Sequence, residues 1–137
     1  MKLRVFVYGT LKPGEYYFSE YCEPKMTACV AAIAPGCLYD LPLGYPAMTP
    51  GTGWVSGVLM EFDDPQVLAA LDELEGYEPG RSPEENEYIR EQLEVFTPEG
   101  RSLGLAWVYR MSQAIAEQLG GVWLPEGYWT GRNLQAQ

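Results

Sequence analysis

The chain contains no histidine, and that absence decides which side chains are open to chemistry. It excludes Ser-His-Asp and Cys-His arrangements, imidazole bases and histidine-ligated metals together, leaving carboxylates, lysines, tyrosines and cysteines as acid/base groups. Carboxylates crowd one stretch, "LAALDELEGYEPG" at 68–80, which carries Asp72, Glu73, Glu75 and Glu78. Most acidic residues on a helix are there to be solvated. One that is turned inward at the helix C-terminus is opposed as an anion by desolvation and by the negative end of the helix dipole. Its pKa should rise toward the range that a general base needs near neutral pH.

The spacing predicts the helix that would do this. Asp63 or Asp64 before Pro65 gives an acidic N-cap with proline at the first helical position, and Gly76 after Glu75 gives the stop. At roughly 100° per residue, Val67, Leu68, Leu71 and Leu74 fall within an arc of about 120°, which must be the buried face. Glu75 falls inside that arc, Asp72 at its flank and Glu73 almost opposite, whereas Glu78 lies beyond the glycine in a loop. Two destinations stay open for Glu75: a buried catalytic position, or a last-turn residue that escapes past Leu71 to solvent or pairs with Arg81 or Arg90.

A second candidate stretch is "VFVYGTLKPG", where a strand ends abruptly in a loop. Gly9 permits close backbone approach, and the successive N–H groups of Gly9, Thr10 and Leu11 can share a concavity suited to a carboxylate or an oxyanion. The loop lacks the glycine spacing of nucleotide phosphate loops, and on its own it is equally a plain β-turn.

These stretches need a scaffold. With 137 residues, 47% of them hydrophobic, the chain suffices for one well-packed core, so residues 1–137 read as a single domain. Nineteen acidic against nine basic residues give a net charge of −10. With no basic cluster, that balance argues against nucleic acid or an anionic membrane surface as partner. No apolar run is long enough for a signal peptide or a bilayer span, and the expectation is a cytoplasmic protein. Cys22, Cys29 and Cys37 form neither a Cys-x-x-Cys pair nor an even set, and read as small buried thiols.

Strand-like runs occupy 3–8, 26–33, 36–41, 54–62, 87–96 and 102–111, separated by "APG", "DLPLGYP", "TPGTG" and "TPEG". The clusters "TPGTG" and "TPEG" leave no room for crossover helices, so much of the sheet should be antiparallel. Helical signal is confined to about 64–75, a short piece around 15–22, and 112–119. The pattern is α+β: a curved or closed sheet with a few helices packed on it.

Taken together, "YGTLKPG" after the first strand and "LDELEGY" at a helix end, with "GYPAMTPG", "VSGVLMEF" and "EYIREQLEVF" in order between and after them, resemble the gamma-glutamylcyclotransferase-like family, of the gamma-glutamylamine cyclotransferase type. The resemblance runs from about residue 3 to residue 110 and leaves 112–137 uncovered. It implies a small mixed, largely antiparallel β-barrel flanked by a few helices. Its site would be a pocket between the tyrosine-glycine loop and a catalytic glutamate, which falls on Glu75. It implies release of 5-oxoproline from a γ-glutamyl amine or short γ-glutamyl peptide, with no cofactor and no metal. Tyr8, Gly9, Thr10, Leu11 and Tyr88 would contact the substrate, although Tyr88 reads equally as a barrel-wall aromatic. Tyr8 and Tyr109 read as packing residues bordering the pocket, and Arg90 as an ion-pair partner for an acid. The long acidic link "EPGRSPEEN" departs from the family's tighter form and could cap the pocket. A non-catalytic binding module with the same barrel is the alternative, since a fold does not fix a reaction. Oligomeric state is not legible.

Overall fold

In a computed structural model, which describes residues 2–82 and 85–131, the apolar runs form strands that must be buried on both faces. "LRVFV" is β1 (Leu3–Val7), and successive residues of a strand point to opposite faces. Val5 and Val7 enter one core with Met60, Phe62, Val67 and Leu71, while Phe6 and Tyr8 enter another with Leu38, Val55, Val95 and Val108. A sheet with apolar side chains on both faces needs a cover, and the first core is where α1 (Gln66–Glu75) packs, through Val67 and Leu71.

The remaining strands are β2 (Met26–Asp40), β3 (Pro46–Phe62), β4 (Ile89–Phe96), β5 (Ser102–Arg110) and the short β6 (Val122–Trp123), with α2 (Gln113–Gln118) before β6. The sheet runs β3-β1-β5-β4-β2-β6, and β2 also pairs with β3, so five strands close a ring to which β6 adds at the end of β2. Among the described residues only β1 and β5 pair in parallel, meeting at Val5↔Trp107, and the other pairings are antiparallel. The expected mixed, largely antiparallel barrel is therefore the observed one. A single π-helical turn, Phe18–Cys22, occupies the place of the helical piece expected near 15–22. Among the described residues no helix is long and apolar enough to cross a membrane.

Two expected turns are not turns. "APG" lies within β2 and "TPGTG" within β3, so the runs at 26–33 and 36–41 join in one strand, and the reversal occurs at 41–45, within the expected turn "DLPLGYP". The register explains why: Pro35 pairs with Trp54 and Cys37 with Thr49, so the proline- and glycine-rich residues 50–53 bulge out of the ladder without ending it. A Cβ on Gly51 would lie 2.4 Å from the Cys37 sulfur, so any other residue there would force the Cys37 side chain to move. "TPEG" is a true hairpin turn, with Gly100 N–H donating to the Thr97 carbonyl at 2.8 Å. The cysteine expectation holds for one residue of three: Cys22 is buried, but Cys37 is half-buried and Cys29 is exposed on β2.

Candidate active site

The end of β1 is fixed before the loop begins. The buried Tyr8 hydroxyl donates to the Tyr109 carbonyl at 2.6 Å and accepts from the Met48 N–H at 3.2 Å, joining β1 to β5 and β3. Burial, followed by the nearby Glu75 charge, pushes its pKa well above the ordinary phenol range, so it stays neutral.

The loop then turns its carbonyls inward. Gly9 C=O accepts from Lys12 N–H at 3.1 Å, and Thr10 C=O accepts from Tyr17 N–H at 2.8 Å. In a trans peptide the following N–H points opposite to the carbonyl, so the Thr10 and Leu11 N–H groups face away from these turn contacts. No described residue accepts a hydrogen bond from the N–H of Gly9, Thr10 or Leu11. Gly9 has a reason for being glycine that sequence reasoning placed elsewhere: a Cβ would lie 2.6 Å from Pro46 Cγ, so the close approach is to β3 of the protein itself.

Across from this loop stands the C-terminus of α1. Gly76 takes φ +69°, and the Tyr77 N–H donates back to the Asp72 carbonyl at 2.9 Å, ending the helix as its glycine requires. Asp64 caps the other end, accepting from Gln66 N–H at 2.9 Å. Glu75 is half-buried, and no described residue donates a hydrogen bond to its carboxylate. Desolvation first and the neighbouring Glu87 second raise its pKa to about 7. Neither Arg81 nor Arg90 is its partner. Arg90 pairs with Asp72 at 2.6 Å, and Arg81 bonds to Asn86, the Gly76 carbonyl and Glu78.

Glu75 and the loop line one cavity of about 180 Å³. All six residues singled out from sequence border it: Glu75, Tyr8, Gly9, Thr10, Leu11 and Tyr88. Tyr88 lies just ahead of β4, is buried, and donates to the Pro46 carbonyl at 2.6 Å, which makes it a wall of the cavity. Tyr109 also lines it, with its hydroxyl committed to Asp72 at 2.7 Å. Three further residues were missed: Tyr17, Tyr45 and Glu87. Tyr45 donates to Glu87 at 2.6 Å, so a second carboxylate stands at the rim. The adjacent pair "EY" at 87–88 held that signal, but the resemblance singled out only the tyrosine.

The acidic link does not cap this cavity as expected. None of its described residues lines it, because Asn86 is buried and ties the segment to itself through Glu78 and Arg81; Pro83 and Glu84 lie outside the described residues. The segment beyond 112 does take part in the fold. Trp129 is buried with its Nε1 donating to Asp40 at 2.9 Å, and Glu15 accepts from Thr130 Oγ1 at 3.0 Å and from Gly131 N–H at 3.1 Å.

A carboxylate that titrates near neutrality lines the same small cavity as residues whose backbone N–H groups have no described acceptor, and such a pairing can move a proton beside a bound anion. Residues 5–131 match the model of the family described as Gamma-glutamyl cyclotransferase, AIG2-like. Among solved structures the chain is similar to an AIG2-like protein from Mus musculus, with 25% identity and TM-score 0.62, covering 94% of this chain and 88% of that one. It is also similar to YtfP from Escherichia coli, with 28% identity and TM-score 0.57 over 96% of this chain and 99% of that one. YkqA from Bacillus subtilis shares the fold at 21% identity and TM-score 0.67; 99% of this chain is covered, but it spans only 42% of YkqA. Among curated proteins no sequence match is found.

Proposed function

Since the chain belongs to the gamma-glutamyl cyclotransferase, AIG2-like family, we propose that it releases 5-oxoproline from a γ-glutamyl amine or short γ-glutamyl peptide by intramolecular aminolysis, with Glu75 as acid and base. The observation that carries this reading is the setting of Glu75: a carboxylate with no described partner, its pKa raised to about 7, on the wall of a cavity shared with the Gly9–Leu11 backbone.

The chemistry follows from those positions. The substrate's neutral α-amine attacks its own side-chain carbonyl carbon, forming the new C–N bond of the five-membered ring and a tetrahedral oxyanion. Glu75 takes a proton from the attacking nitrogen and delivers one to the leaving nitrogen. The original C–N bond then breaks to give 5-oxoproline and a free amine, with no water consumed. The N–H groups of Gly9, Thr10 and Leu11 hold the α-carboxylate or the oxyanion. Tyr8 and Tyr88 shape the wall, their hydroxyls held by the protein, and the main task left to the cavity is to fold the substrate into its ring-closing geometry. Three unpaired cysteines suit a reducing compartment such as the cytoplasm.

The test is 5-oxoproline release from γ-glutamyl amines, γ-glutamyl peptides, their N-acetyl forms and the α-linked isomers. Turnover of only the γ-linked compounds with a free amine is expected. Cleavage of the N-acetyl forms would indicate a hydrolase, and saturable binding without turnover would indicate a binding module.

A further inference from the structure

The loop whose Gly9, Thr10 and Leu11 line the cavity continues into two charged side chains, and both reach the C-terminal part of the chain. Lys12 donates through its ammonium to the Trp129 carbonyl and lies over the Tyr128 ring, 4.0 Å from the ring centroid. Glu15 accepts from the Thr130 hydroxyl at 3.0 Å and from the Gly131 N–H at 3.1 Å. Loop and C-terminal segment are thus tied twice by hydrogen bonds with one ionised partner, which are shorter and stronger than neutral ones.

The segment that receives these ties is itself anchored elsewhere. Leu124 N–H donates to the Leu38 carbonyl at 2.8 Å, the Gly127 carbonyl accepts from Ser56 N–H at 2.7 Å, and the buried Trp129 donates its Nε1 to Asp40 at 2.9 Å. A Cβ on Gly127, which takes φ +69°, would collide with the Trp54 carbonyl, so the segment is pressed onto β3. Residues 124–131 therefore form a strap, gripped by β2 and β3 and in turn gripping the loop. The family resemblance leaves this strap uncovered, and no step of the reaction above uses it.

Lysine is a costly choice for adhesion alone. Lys12 is 5% exposed, the one buried lysine or arginine among the described residues; burial lowers its pKa, and the Glu15 charge offsets part of that. An apolar side chain could fill such a space with no ammonium to desolvate. What the ammonium adds is direction, because the Trp129 carbonyl and the Tyr128 face fix where residue 12 can sit. The turn passes that constraint on: Lys12 N–H donates to the Gly9 carbonyl at 3.1 Å, closing residues 9–12 into one unit.

We propose that Lys12 is a positioning residue for the reaction and that the strap at 124–131 belongs to the framework of the site. Lys12, with Glu15 as the second tie, holds the Gly9–Leu11 backbone where it receives the substrate's α-carboxylate. This rests on the cyclotransferase reading above.

The experiment measures KM and kcat for 5-oxoproline release, melting temperature and backbone amide order parameters on the wild type, Lys12→Met, Glu15→Ala and, as reference, Gly100→Ala, whose φ of +96° strains a distal turn with open space around it. Rates are read well below each melting transition. Lys12→Met should raise KM by roughly tenfold or more with kcat within about threefold, because an anion held alike in ground and transition states is felt in KM. Glu15→Ala should raise KM by roughly threefold. In both variants the order parameters of residues 9–11 should fall, and Gly100→Ala should move neither reading. A lower melting temperature in Lys12→Met with KM and loop order parameters unchanged would make the strap a fastening of the fold alone and overturn the proposal, as would a loss confined to kcat. If Lys12→Met does not fold, the same readings on Glu15→Ala decide. No turnover by the wild type overturns the cyclotransferase reading, and the role of Lys12 with it.

Discussion

Asp72 and Glu75 stand one turn apart on α1, and their surroundings are opposite. Asp72 receives the Arg90 guanidinium at 2.6 Å on one oxygen and the Tyr109 hydroxyl at 2.7 Å on the other. Arg90 is in turn stacked over Trp107, 4.6 Å from the ring centroid, so the pair is held between β4, β5 and the helix. Among the described residues Glu75 has neither a cation nor a hydrogen-bond donor, and the pKa of its carboxyl is raised toward neutrality by burial and by Glu87. On one short helix, a fully partnered carboxylate docks the helix onto the sheet, and an unpartnered one faces the cavity. Proximity to a basic residue marks structure here, and the proposed catalytic role falls on the carboxylate that lacks one among the described residues.

The comparison breaks most directly by exchanging each carboxylate for its amide. Glu75→Gln should lower the rate of 5-oxoproline release by roughly 10² to 10⁴ fold, the ordinary contribution of a general acid-base group. The same variant should fold as well as the wild type. Asp72→Asn should do the reverse: it leaves Arg90 without its anion, costing about 1 to 3 kcal/mol of stability, with activity changed by only a few fold. Melting curves and initial rates on both proteins decide it, and comparable losses of rate from the two substitutions would erase the distinction drawn between them.

Stability as a function of pH sharpens the same contrast with a smaller effect. Because the folded protein holds the Glu75 proton more tightly than the unfolded chain does, this residue favours folding most below its unfolded pKa near 4.5. That contribution fades as pH rises through about 7. Glu75→Gln removes the titration, so the variant's melting temperature should gain on the wild type between pH 5 and pH 8, whereas the rate of the wild type should climb through the same interval as the base ionises. A difference in melting temperature that is flat across that range would mean that Glu75 is already ionised at pH 5.

The smallest effects separate the loop from a distal turn. Gly9→Ala forces a methyl against Pro46 and should disturb the cavity wall, so kcat/KM falls more than stability does. Gly100 takes φ +96° with open space around it, and Gly100→Ala should cost about 1 kcal/mol of stability with no change in kcat/KM. Equal losses of activity at the two glycines would remove the loop from the site.

Much of this was legible beforehand because it rests on local periodicity. The helical wheel set Glu75 on the apolar arc of Val67, Leu68, Leu71 and Leu74, with an escape to solvent or a pairing with Arg81 or Arg90 still open, and Gly76 announced the helix end beside it. The strand runs were legible for the same reason. What escaped depended on contacts between distant segments. That "TPGTG" bulges instead of turning follows from its pairing opposite Pro35 and Cys37, which no local window contains. Tyr45 and Glu87 reach the cavity rim from separate loops and meet there through a hydrogen bond across 42 residues. Gly9 announced itself as special, but its neighbour, Pro46, lies on another strand.

The ring is fastened unevenly. β2 and β3 share a long ladder from Met26↔Phe62 to Asp40↔Pro46, but β1 meets β5 at one paired position and β2 meets β4 at one, Ile33↔Phe96. Pairing within a hairpin closes a short loop, whereas closing the ring joins residues 102 positions apart at Val5↔Trp107 and 63 apart at Ile33↔Phe96, and comes with a greater loss of chain entropy. The hairpin should therefore form early and the two seams late, and backbone amides along the seams should exchange their hydrogens sooner than those of the ladder. The Tyr8 hydroxyl bound to the Tyr109 carbonyl crosses the first of these seams. It acts as a latch: Phe6 and Val7 of β1 and Tyr109 of β5 line the cavity from the two sides of that seam, so the cavity should be complete only once the seam has closed.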